Sequence, residues 1–354
     1  MSKKIKVGII GAGAIGSVHA NAYTKVEDAE VVALCDILPD KLKAKAAQHN
    51  IGKTYATAAE LLADPEIQAV DVCVPNFEHA PIAIQAFQAG KHVMLEKPMA
   101  LNAQQGLEIL KARDAAGKIL QMGMVRRQSP NSEILREEIA AGRLGEIYQI
   151  NVKQIRRRGI PGMGGWFTTK AQSGGGALID IAVHSFDLAL WTTNYWNPTR
   201  VSARAYSKFG SPMKDYKYVS MWAGPPNYDG VFDVDDYVTG LVRFDTRATM
   251  TFQVSWAANS EDGNFMEILG DKGGAVFDFS NNLKFFTEVN GRIANVEPQF
   301  KKEGVDIFAK ELTKFIAAIN GEGEVPATGE QGVIDMKLLD AVYRSSLLNQ
   351  EVEV

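Results

Sequence analysis

The feature that most constrains the fold of this chain is a glycine-rich turn near its N-terminus. Residues 5–10 (Ile-Lys-Val-Gly-Ile-Ile) have the composition of a buried strand, and the turn that follows them opens a helix-like stretch. The turn reads Gly11-Ala12-Gly13-Ala14-Ile15-Gly16. The first glycine permits the tight turn, the second lets the backbone approach a pyrophosphate, and the third allows close packing of helix on strand. We therefore predict a dinucleotide site at the free N–H groups of the helix N-terminus, formed by Gly11, Gly13, Ala14, Ile15 and Gly16.

An acidic residue, Asp36, ends the next strand-like run, 20 residues after Gly16. A carboxylate at this position accepts hydrogen bonds from the adenosine ribose hydroxyls and repels a 2′-phosphate. Ile37 follows it, and the neighbouring sequence offers no arginine to hold such a phosphate. The sequence thus favours NAD over NADP as the cofactor, with a solvated turn aspartate as the alternative interpretation of Asp36.

Strand-like and helix-like segments alternate through the first third of the chain, which predicts βαβ units and a parallel sheet. Right-handed crossovers make a doubly wound Rossmann domain, assigned to residues 1–125, the simplest arrangement. Beyond residue 125 the strand-like runs lengthen and alternate, as in an open, largely antiparallel sheet with one covered face. We therefore predict an α/β protein whose C-terminal α+β domain spans residues 126–354. Two helices close the chain, and the last of them, over 331–348, is expected to pack back toward the first domain.

Length and composition fit this two-domain plan. The 354 residues exceed what one hydrophobic core ordinarily supports, and 46% apolar with 23% charged residues is typical of a globular protein. A net charge of -4 gives no reason to expect nucleic acid or an anionic membrane as a partner. The sequence lacks a bilayer-length apolar run and a secretory signal, so we expect a cytoplasmic location with Cys35 and Cys73 reduced and buried. The five histidines lack zinc-ligand spacing, so no metal is predicted.

Three further segments are more specific than the glycines. They are 74–79 (Val-Pro-Asn-Phe-Glu-His), 89–98 (Ala-Gly-Lys-His-Val-Met-Leu-Glu-Lys-Pro) and 174–187 (Gly-Gly-Gly-Ala-Leu-Ile-Asp-Ile-Ala-Val-His-Ser-Phe-Asp). Together with the glycine turn and Asp36, in this order, they closely resemble the glucose–fructose oxidoreductase, inositol dehydrogenase and MocA (Gfo/Idh/MocA) family. The resemblance spans nearly the whole chain, down to 234–237 and the last helix. It implies an NAD-dependent dehydrogenase that acts on a hydroxyl carbon of a small polyol or sugar.

The resemblance also implies roles for particular side chains. Lys97, in the Glu-Lys-Pro segment, would lie beside the nicotinamide and the reacting hydroxyl, and Asp180 with His184 would complete the catalytic site. Further residues match positions that line the cofactor, namely Pro75, Asn76, His79 and Glu96. Positions that contact substrate in inositol dehydrogenase-like members correspond to Arg127, Asp187 and, by a looser alignment, Tyr237.

Spacing supports the residues of the second domain independently. Asp180, His184 and Asp187 stand at i, i+4 and i+7, which places them on one face of a predicted helix that is otherwise apolar. Polar groups on a mostly buried helix need partners or a cavity, so a catalytic site and a satisfied core network are the alternatives. His184 suits the base that removes the hydroxyl proton, Asp180 would orient its ring, and Lys97 would stabilise developing alkoxide charge. The sequence leaves open whether Lys97 or His184 takes the proton.

The side chains expected around this site bear on the substrate class. Several hydrogen-bonding groups and the flat face of Trp166 suit a neutral, polyhydroxylated ring such as an inositol, an aldose or a glycoside. The basic run 156–158 favours instead a phosphate or carboxylate, should one of its arginines reach the site. The aromatic segment 207–236 is interpreted either as a lid over substrate or as an oligomer contact. We expect a homo-oligomer, a dimer or tetramer formed through the C-terminal sheet.

Two other functions remain open at this point. A glycosidase of the same broad family oxidises its sugar transiently and eliminates the aglycone, so it produces no net NADH. A cofactor-sensing regulator on the same scaffold needs neither Lys97 nor His184, and the presence of both favours an enzyme.

Overall fold

The computed structural model describes residues 4–279, 282–299 and 304–354, which divide into two compact units. The first unit comprises Met1–Gln128 with Gly304–Val333, and the second comprises Ser129–Glu303 with Ile334–Val354. The predicted boundary lies after residue 125, with all of 126–354 in the second domain. The structure instead returns residues 304–333 to the first unit. Residues 1–3, at the start of the predicted Rossmann domain, lie outside the described residues.

The helices and strands are numbered in chain order. The strands are β1 (Ile5–Ile10), β2 (Ala29–Cys35), β3 (Lys53–Tyr55), β4 (Ala69–Val72), β5 (His92–Leu95), β6 (Leu120–Met122), β7 (Ile147–Ile155), β8 (Pro198–Tyr206), β9 (Tyr237–Phe244), β10 (Thr249–Ser255), β11 (Gly263–Gly270), β12 (Gly274–Asp278), β13 (Asn282–Val289), β14 (Arg292–Val296) and β15 (Val352–Glu353). The α-helices are α1 (Ala14–Tyr23), α2 (Pro39–His49), α3 (Ala58–Leu62), α4 (His79–Gln88), α5 (Ala103–Ala116), α6 (Pro130–Ala140), α7 (Lys170–Ser173), α8 (Val183–Thr193), α9 (Ile307–Ile319) and α10 (Gly329–Leu348). None of the helices in the described ranges is long and apolar enough to cross a lipid bilayer.

In the described part of the first unit, six strands form one parallel sheet in the order β3-β2-β1-β4-β5-β6. This order is that of a doubly wound Rossmann fold, and it confirms the predicted fold of the N-terminal region. β1 suits the middle of the sheet because its residues are buried on both faces, apart from the half-buried Lys6. The carboxyl ends of these parallel strands meet at one edge, which is where open α/β sheets bind their ligands.

Helix α9 completes the core of the first unit from a distant part of the chain. Its Leu312, Phe315 and Ile316 are buried in the same apolar cluster as Ala20 and Tyr23 of α1. This packing is the physical reason that residues 304–333 belong to the first unit. The helix predicted to pack back toward the first domain is the last one, α10, whose residues up to Val333 fall in the first unit and the remainder in the second.

The described residues of the second unit form a nine-stranded sheet in the order β14-β13-β12-β11-β7-β10-β9-β8-β15. All its pairings are antiparallel except that of β7 with β10, so the predicted largely antiparallel sheet is confirmed. One face is covered by α8, where Phe186 packs edge-on against Phe252 of β10 with ring centroids 4.9 Å apart. Asn151 of β7 instead takes part in polar cross-strand contacts, accepting from Thr251 at 2.6 Å and donating to Glu267 at 2.8 Å. This contrast between apolar and polar positions explains the alternation in the sequence.

Candidate active site

The glycine turn of the first unit has the geometry that a bound pyrophosphate needs. Gly11 has a φ of +106°, and a Cβ there would lie 2.2 Å from the carbonyl oxygen of Cys73. A Cβ on Gly16 would lie 2.0 Å from the carbonyl oxygen of Gly11, so α1 packs against the turn without room for a side chain. Around Gly13, nothing lies within 4 Å of a Cβ position. The second glycine therefore faces open space, which lets an anionic group approach the backbone.

Helix α1 begins at this turn with an N-terminus that can receive a phosphate. Gly13 is its N-cap, and within this described helix no side chain caps the end and the first turn holds no acidic residue. Ala14 is exposed and Ile15 is half-buried. The backbone N–H groups and the positive end of the helix dipole thus face outward, which fits the pyrophosphate of a dinucleotide.

Asp36 follows β2, beside the glycine turn. Its Oδ2 accepts hydrogen bonds from the Ala12 N–H at 2.9 Å and from Lys41 Nζ at 2.8 Å, and its Oδ1 accepts one from the Leu38 N–H at 3.0 Å. Burial would raise the pKa of Asp36, but the hydrogen bonds from Lys41, Leu38 and Ala12 outweigh it and hold this pKa below its ordinary value. Asp36 is therefore a fixed, ionised carboxylate. Sequence reasoning looked for an arginine beside Asp36 and missed Lys41.

Lys97 stands two residues after β5, at the carboxyl edge of the parallel sheet, and is half-buried. Its backbone N–H donates to Glu96 Oε2 at 3.2 Å, so the carboxylate of the preceding residue fixes the main chain of Lys97. The Lys97–Pro98 peptide bond is cis. The predicted catalytic lysine is thus on the edge of the sheet where a nucleotide bound at the glycine turn would extend.

His79 joins the loops that follow β4 and β5. Its buried ring has Nδ1 2.6 Å from the carbonyl oxygen of Pro98 and Nε2 2.9 Å from that of Val74. Burial lowers the pKa of His79, so the neutral ring donates to one of these two carbonyls. The family resemblance implies that His79 lines the cofactor, whereas both of its ring nitrogens face backbone carbonyls of the first unit. His79 therefore positions the loops, including Asn76, which is buried just after β4.

Behind Glu96 lies a buried polar network that sequence reasoning missed. His19 of α1 has Nε2 3.2 Å from Glu96 Oε1 and Nδ1 2.8 Å from Asp71 Oδ2. Burial would lower the pKa of His19, but Asp71 outweighs it and the pKa stays well above its ordinary value. The ring is therefore an imidazolium between two carboxylates, and one oxygen of Glu96 is directed toward it. The available signal was Asp71 itself, a carboxylate inside the apolar run 69–74.

The same residues bear on metal binding. In the described chain, His19, Asp71 and Cys73 bring ligand atoms within 4.8 Å of one another. Burial raises the pKa of the Cys73 thiol far above its ordinary value, and its Sγ donates to Asp71 Oδ1 at 3.3 Å. A protonated thiol and an imidazolium both donate to Asp71. The group is therefore a satisfied hydrogen-bond network and a poor set of metal ligands.

In the second unit, the segment that carries Asp180 and His184 is not one regular helix. Leu178–Ala182 forms a π-turn, and α8 begins at Val183. The predicted i, i+4, i+7 spacing therefore runs through a π-turn and the start of an α-helix instead of one regular helix. Asp187 is buried within α8, and His184 is the residue of this helix that is not fully buried. The prediction of one regular helix is corrected accordingly, whereas the shared face of Asp180, His184 and Asp187 stays a prediction.

Asp180 is anchored to the sheet of its own unit. Its Oδ2 accepts a hydrogen bond from the indole N–H of Trp256 at 2.9 Å. Trp256 is fully buried and directly follows β10. The carboxylate of Asp180 is thereby oriented by a rigid donor. No local signal in the sequence pointed to Trp256, because it lies 76 residues away from Asp180.

A second buried carboxylate holds the start of the π-turn. Asp235 accepts hydrogen bonds from the N–H groups of Gly176 at 2.9 Å and Leu178 at 3.0 Å, and from the Tyr343 hydroxyl at 2.6 Å. A Cβ on Gly176 would lie 1.8 Å from the carbonyl oxygen of Asp235. The glycine run before the π-turn is therefore needed for close packing of the backbone. Asp235, held by Tyr343, fixes the start of the π-turn that carries Asp180.

The residues predicted to contact substrate occupy different settings. Trp166 stacks on Phe167 at 3.8 Å between ring centroids, and Tyr237 is half-buried at the start of β9. Arg127, in the first unit, is buried and donates through Nη1 to the carbonyl oxygen of Pro326 and to Gln331 Oε1, both at 2.7 Å. Arg127 thus holds the segment 326–331 in place, in addition to any contact with a ligand.

Among the three arginines of 156–158, Arg158 serves the fold of the second unit. It donates through Nη1 to the carbonyl oxygens of Arg157 and Ala258 and through Nη2 to Asn259 Oδ1. Its guanidinium also lies over the ring of Phe209, 4.9 Å from the centroid. Arg156 and Arg157 are exposed. Because its guanidinium makes these contacts within the second unit, Arg158 is not a simple candidate for binding an anion.

Two family models match the chain, one on each side of Gln128. The model described as "Oxidoreductase family, NAD-binding Rossmann fold" matches residues 5–124, and the model described as "GFO/IDH/MocA C-terminal domain" matches residues 133–276. The chain belongs to the Gfo/Idh/MocA oxidoreductase family. With its glycine turn and Asp36 in place, this Gfo/Idh/MocA protein is an NAD-dependent dehydrogenase.

Relatives of this Gfo/Idh/MocA protein align with it from end to end. D-glucoside 3-dehydrogenase of Escherichia coli (strain K12) is 31% identical over 358 aligned residues, which cover 100% of this chain and 98% of the relative. Inositol 2-dehydrogenase of Rhizobium meliloti (strain 1021) is 27% identical, with 99% of each chain covered. A solved structure of levoglucosan dehydrogenase in complex with NADH and levoglucosan has a TM-score of 0.87 at 23% identity, over 99% of this chain and 100% of that chain. At that identity the structural likeness establishes the shared fold.

Proposed function

We propose that this dehydrogenase oxidises a secondary hydroxyl of a neutral cyclic polyol or sugar, such as an inositol, an aldose or a glycoside. The observation that carries the proposal is the end-to-end similarity to D-glucoside 3-dehydrogenase and inositol 2-dehydrogenase, whose names specify a sugar ring and a cyclitol. The stacked pair of Trp166 and Phe167 supports it, because flat apolar rings suit the C–H face of such a substrate.

We assign the chemistry to three side chains. His184 accepts the hydroxyl proton, because imidazole titrates near neutral pH. Asp180, held by the indole N–H of Trp256, orients that imidazole and stabilises its cation. Lys97 donates to the substrate oxygen and stabilises the developing alkoxide charge. The hydride would leave the carbon for the nicotinamide that bound NAD would supply.

The remaining site residues have binding roles in this proposal. Asp36 accepts hydrogen bonds from the ribose hydroxyls, and the glycine turn binds the pyrophosphate. The loops after β4 and β5 frame the nicotinamide end of the cofactor through Pro75, Asn76, Glu96 and Lys97. The substrate hydroxyls and ring are bound by Arg127, Trp166, Asp187 and Tyr237. We further propose a cytoplasmic homo-oligomer assembled through the nine-stranded sheet, whose partly polar face has the cross-strand contacts described above.

The test is an NADH-absorbance screen at equal substrate concentrations. The panel contains inositols, aldoses, methyl glucosides, 1,6-anhydro sugars, sugar phosphates, uronates and short alcohols. We expect turnover with neutral rings and strong rejection of short alcohols, because each buried polar group left without a partner costs roughly 1–3 kcal/mol. Turnover of phosphorylated or carboxylated compounds alone would overturn the neutral-ring proposal. Release of an aglycone without net NADH would identify a glycosidase instead.

A further inference from the structure

The cofactor site contains a cation, Lys41, that has no role in the function proposed above. Lys41 stands in the first turn of α2, and its Nζ lies 2.8 Å from Asp36 Oδ2. The side chain of Asp36 is 7% exposed, whereas that of Lys41 is 38% exposed. Lys41 is therefore the outer, solvent-facing member of the pair. Because Asp36 is the residue that meets the adenosine ribose, the contact bears directly on which nucleotide the site accepts.

The hydrogen bonds to Asp36 leave little of its carboxylate for a ribose. An ionised carboxylate has about four acceptor positions, two on each oxygen. Oδ2 uses both of its positions on the Ala12 N–H and Lys41, and Oδ1 uses one on the Leu38 N–H. The two backbone donors are fixed by the fold. The contact from Lys41 is the one that can change, since its side chain is long, flexible and partly exposed.

The pair also changes the charge that a 2′-phosphate would meet. Asp36 alone presents one negative charge, which repels a phosphate, whereas Asp36 with Lys41 is formally neutral. An ammonium carries three donors, so Lys41 can turn from the carboxylate to a phosphate and form charge-assisted hydrogen bonds with it. The side chains between them in the sequence, Ile37 and Leu38, are apolar and exposed and supply no charge of their own. Asp40 is exposed beside Lys41 and opposes the effect without removing it.

We propose that Lys41 is a specificity-determining residue for the nucleotide. Paired with Asp36, it weakens the rejection of NADP, and its ammonium binds the 2′-phosphate when NADP occupies the site. NAD remains a cofactor of this dehydrogenase, and Lys41 sets how strongly NADP is disfavoured. The inference rests on dinucleotide binding at the glycine turn and is independent of the proposed sugar substrate.

The test uses binding alone, measured by isothermal titration calorimetry with ADP-ribose and 2′-phospho-ADP-ribose. Lys41→Met should weaken binding of 2′-phospho-ADP-ribose by about tenfold or more, the scale of one charge-assisted hydrogen bond to phosphate. ADP-ribose should change by less than about twofold, or bind more tightly, because an acceptor position on Asp36 is released. Lys43→Met is the matched control, since it removes the same charge from an exposed position on α2 and should leave the ratio of the two dissociation constants unchanged.

A double-mutant cycle tests the coupling to Asp36. Asp36→Asn should tighten binding of 2′-phospho-ADP-ribose, and most of that gain should be lost in the double variant with Lys41→Met. Added salt should reduce the difference between wild type and Lys41→Met for the phosphorylated ligand.

An unchanged ratio in Lys41→Met, or an equal shift in Lys43→Met, would overturn the proposal for Lys41 while leaving the nucleotide site intact. If the wild type bound neither ligand, the dinucleotide site itself would be wrong, and this outcome is distinguishable from the first. A sugar screen without any turnover would count against the proposed substrate and leave this measurement unaffected.

Discussion

The nucleotide-binding turn and the segment that carries His184 are built in different ways. The turn works through its own backbone, and its conformation is set by three glycines and the strand and helix on either side of them. Asp180 and His184 depend instead on side chains from far along the chain, because Trp256 orients Asp180 and Asp235 with Tyr343 holds the start of the π-turn. The conformation of a local backbone site can be recognised in a sequence, whereas the distant side chains that hold Asp180 in place are found only in the fold.

The largest expected effect separates chemistry from nucleotide binding. Lys97→Met and His184→Ala should each lower kcat by about 10² or more, the usual scale for a positioned proton-transfer or alkoxide-stabilising group. The dissociation constant for NAD, measured by calorimetry, should change by less than about threefold in both variants, because the pyrophosphate and ribose contacts are made elsewhere. Steady-state kinetics on a substrate from the screen give kcat. Turnover near the wild-type rate in either variant would remove that residue from the proposed mechanism.

The glycine turn allows a paired test in which two similar substitutions give opposite results. Gly16→Ala should lower the free energy of unfolding by roughly 1–3 kcal/mol, because its Cβ would lie 2.0 Å from the carbonyl oxygen of Gly11 and the backbone must shift. Gly13→Ala meets no atom within 4 Å, so its stability should stay within about 1 kcal/mol of wild type while its NAD affinity falls by about tenfold or more. Urea denaturation and calorimetry measure the two effects. Equal losses of stability would contradict the separate roles of these glycines.

The contrast between local and distant contacts also explains what the sequence predicted. The strand Ile5–Ile10 follows from a buried apolar run, which is a local property. The Rossmann sheet and the glycine turn could be predicted for the same reason. The position of α9 in the first unit could not, because its contacts in that apolar cluster join residues from opposite ends of the chain.

The predicted site was incomplete for the same physical reason. The expectation of a regular helix through Asp180 failed at the π-turn, which begins where the distant Asp235 carboxylate accepts the N–H groups of Gly176 and Leu178. His19 and Asp71 escaped notice because their contact joins residues 52 positions apart. Lys41 is a different case, since it is only five residues from Asp36. A lysine binds phosphate as well as an arginine does, so the absence of an arginine beside Asp36 does not exclude a contact with a 2′-phosphate.

Tyr343→Phe tests how far the second unit depends on its distant contacts. The substitution removes the hydroxyl that donates to Asp235 and should lower the free energy of unfolding by about 1–3 kcal/mol, since a buried carboxylate loses a donor. We expect kcat to fall several-fold as the π-turn loosens, with NAD affinity unchanged. Tyr148→Phe, on the exposed side of β7, is the control that removes an exposed hydroxyl. A stable Tyr343→Phe enzyme with wild-type kcat would show that the π-turn holds without this contact.

The smallest expected effect concerns the amino end of the parallel sheet, away from the glycine turn. His92 opens β5 and its Nδ1 accepts a hydrogen bond from the Ile119 N–H at 3.1 Å. Burial, aided by the nearby charge of Lys118, lowers the pKa of His92 from 6.5 to about 4. The folded state thus binds a proton less readily than the unfolded state does. The stability that neutral His92 contributes is fully present above pH 6.5 and is lost as the pH falls toward 4.

Urea denaturation of the wild type and His92→Gln across this pH range measures the contribution. After discounting for the partial exposure of the ring, the wild type should lose up to about 1 kcal/mol more than the variant between neutral pH and pH 5. The kcat of the variant at neutral pH should match that of the wild type, because the residue lies at the opposite end of β5 from Lys97. Parallel stability curves would contradict the lowered pKa. A large change in kcat would show instead that the amino end of the sheet influences the catalytic site. The geometry of the nucleotide-binding turn would then not be independent of the stability of the surrounding sheet.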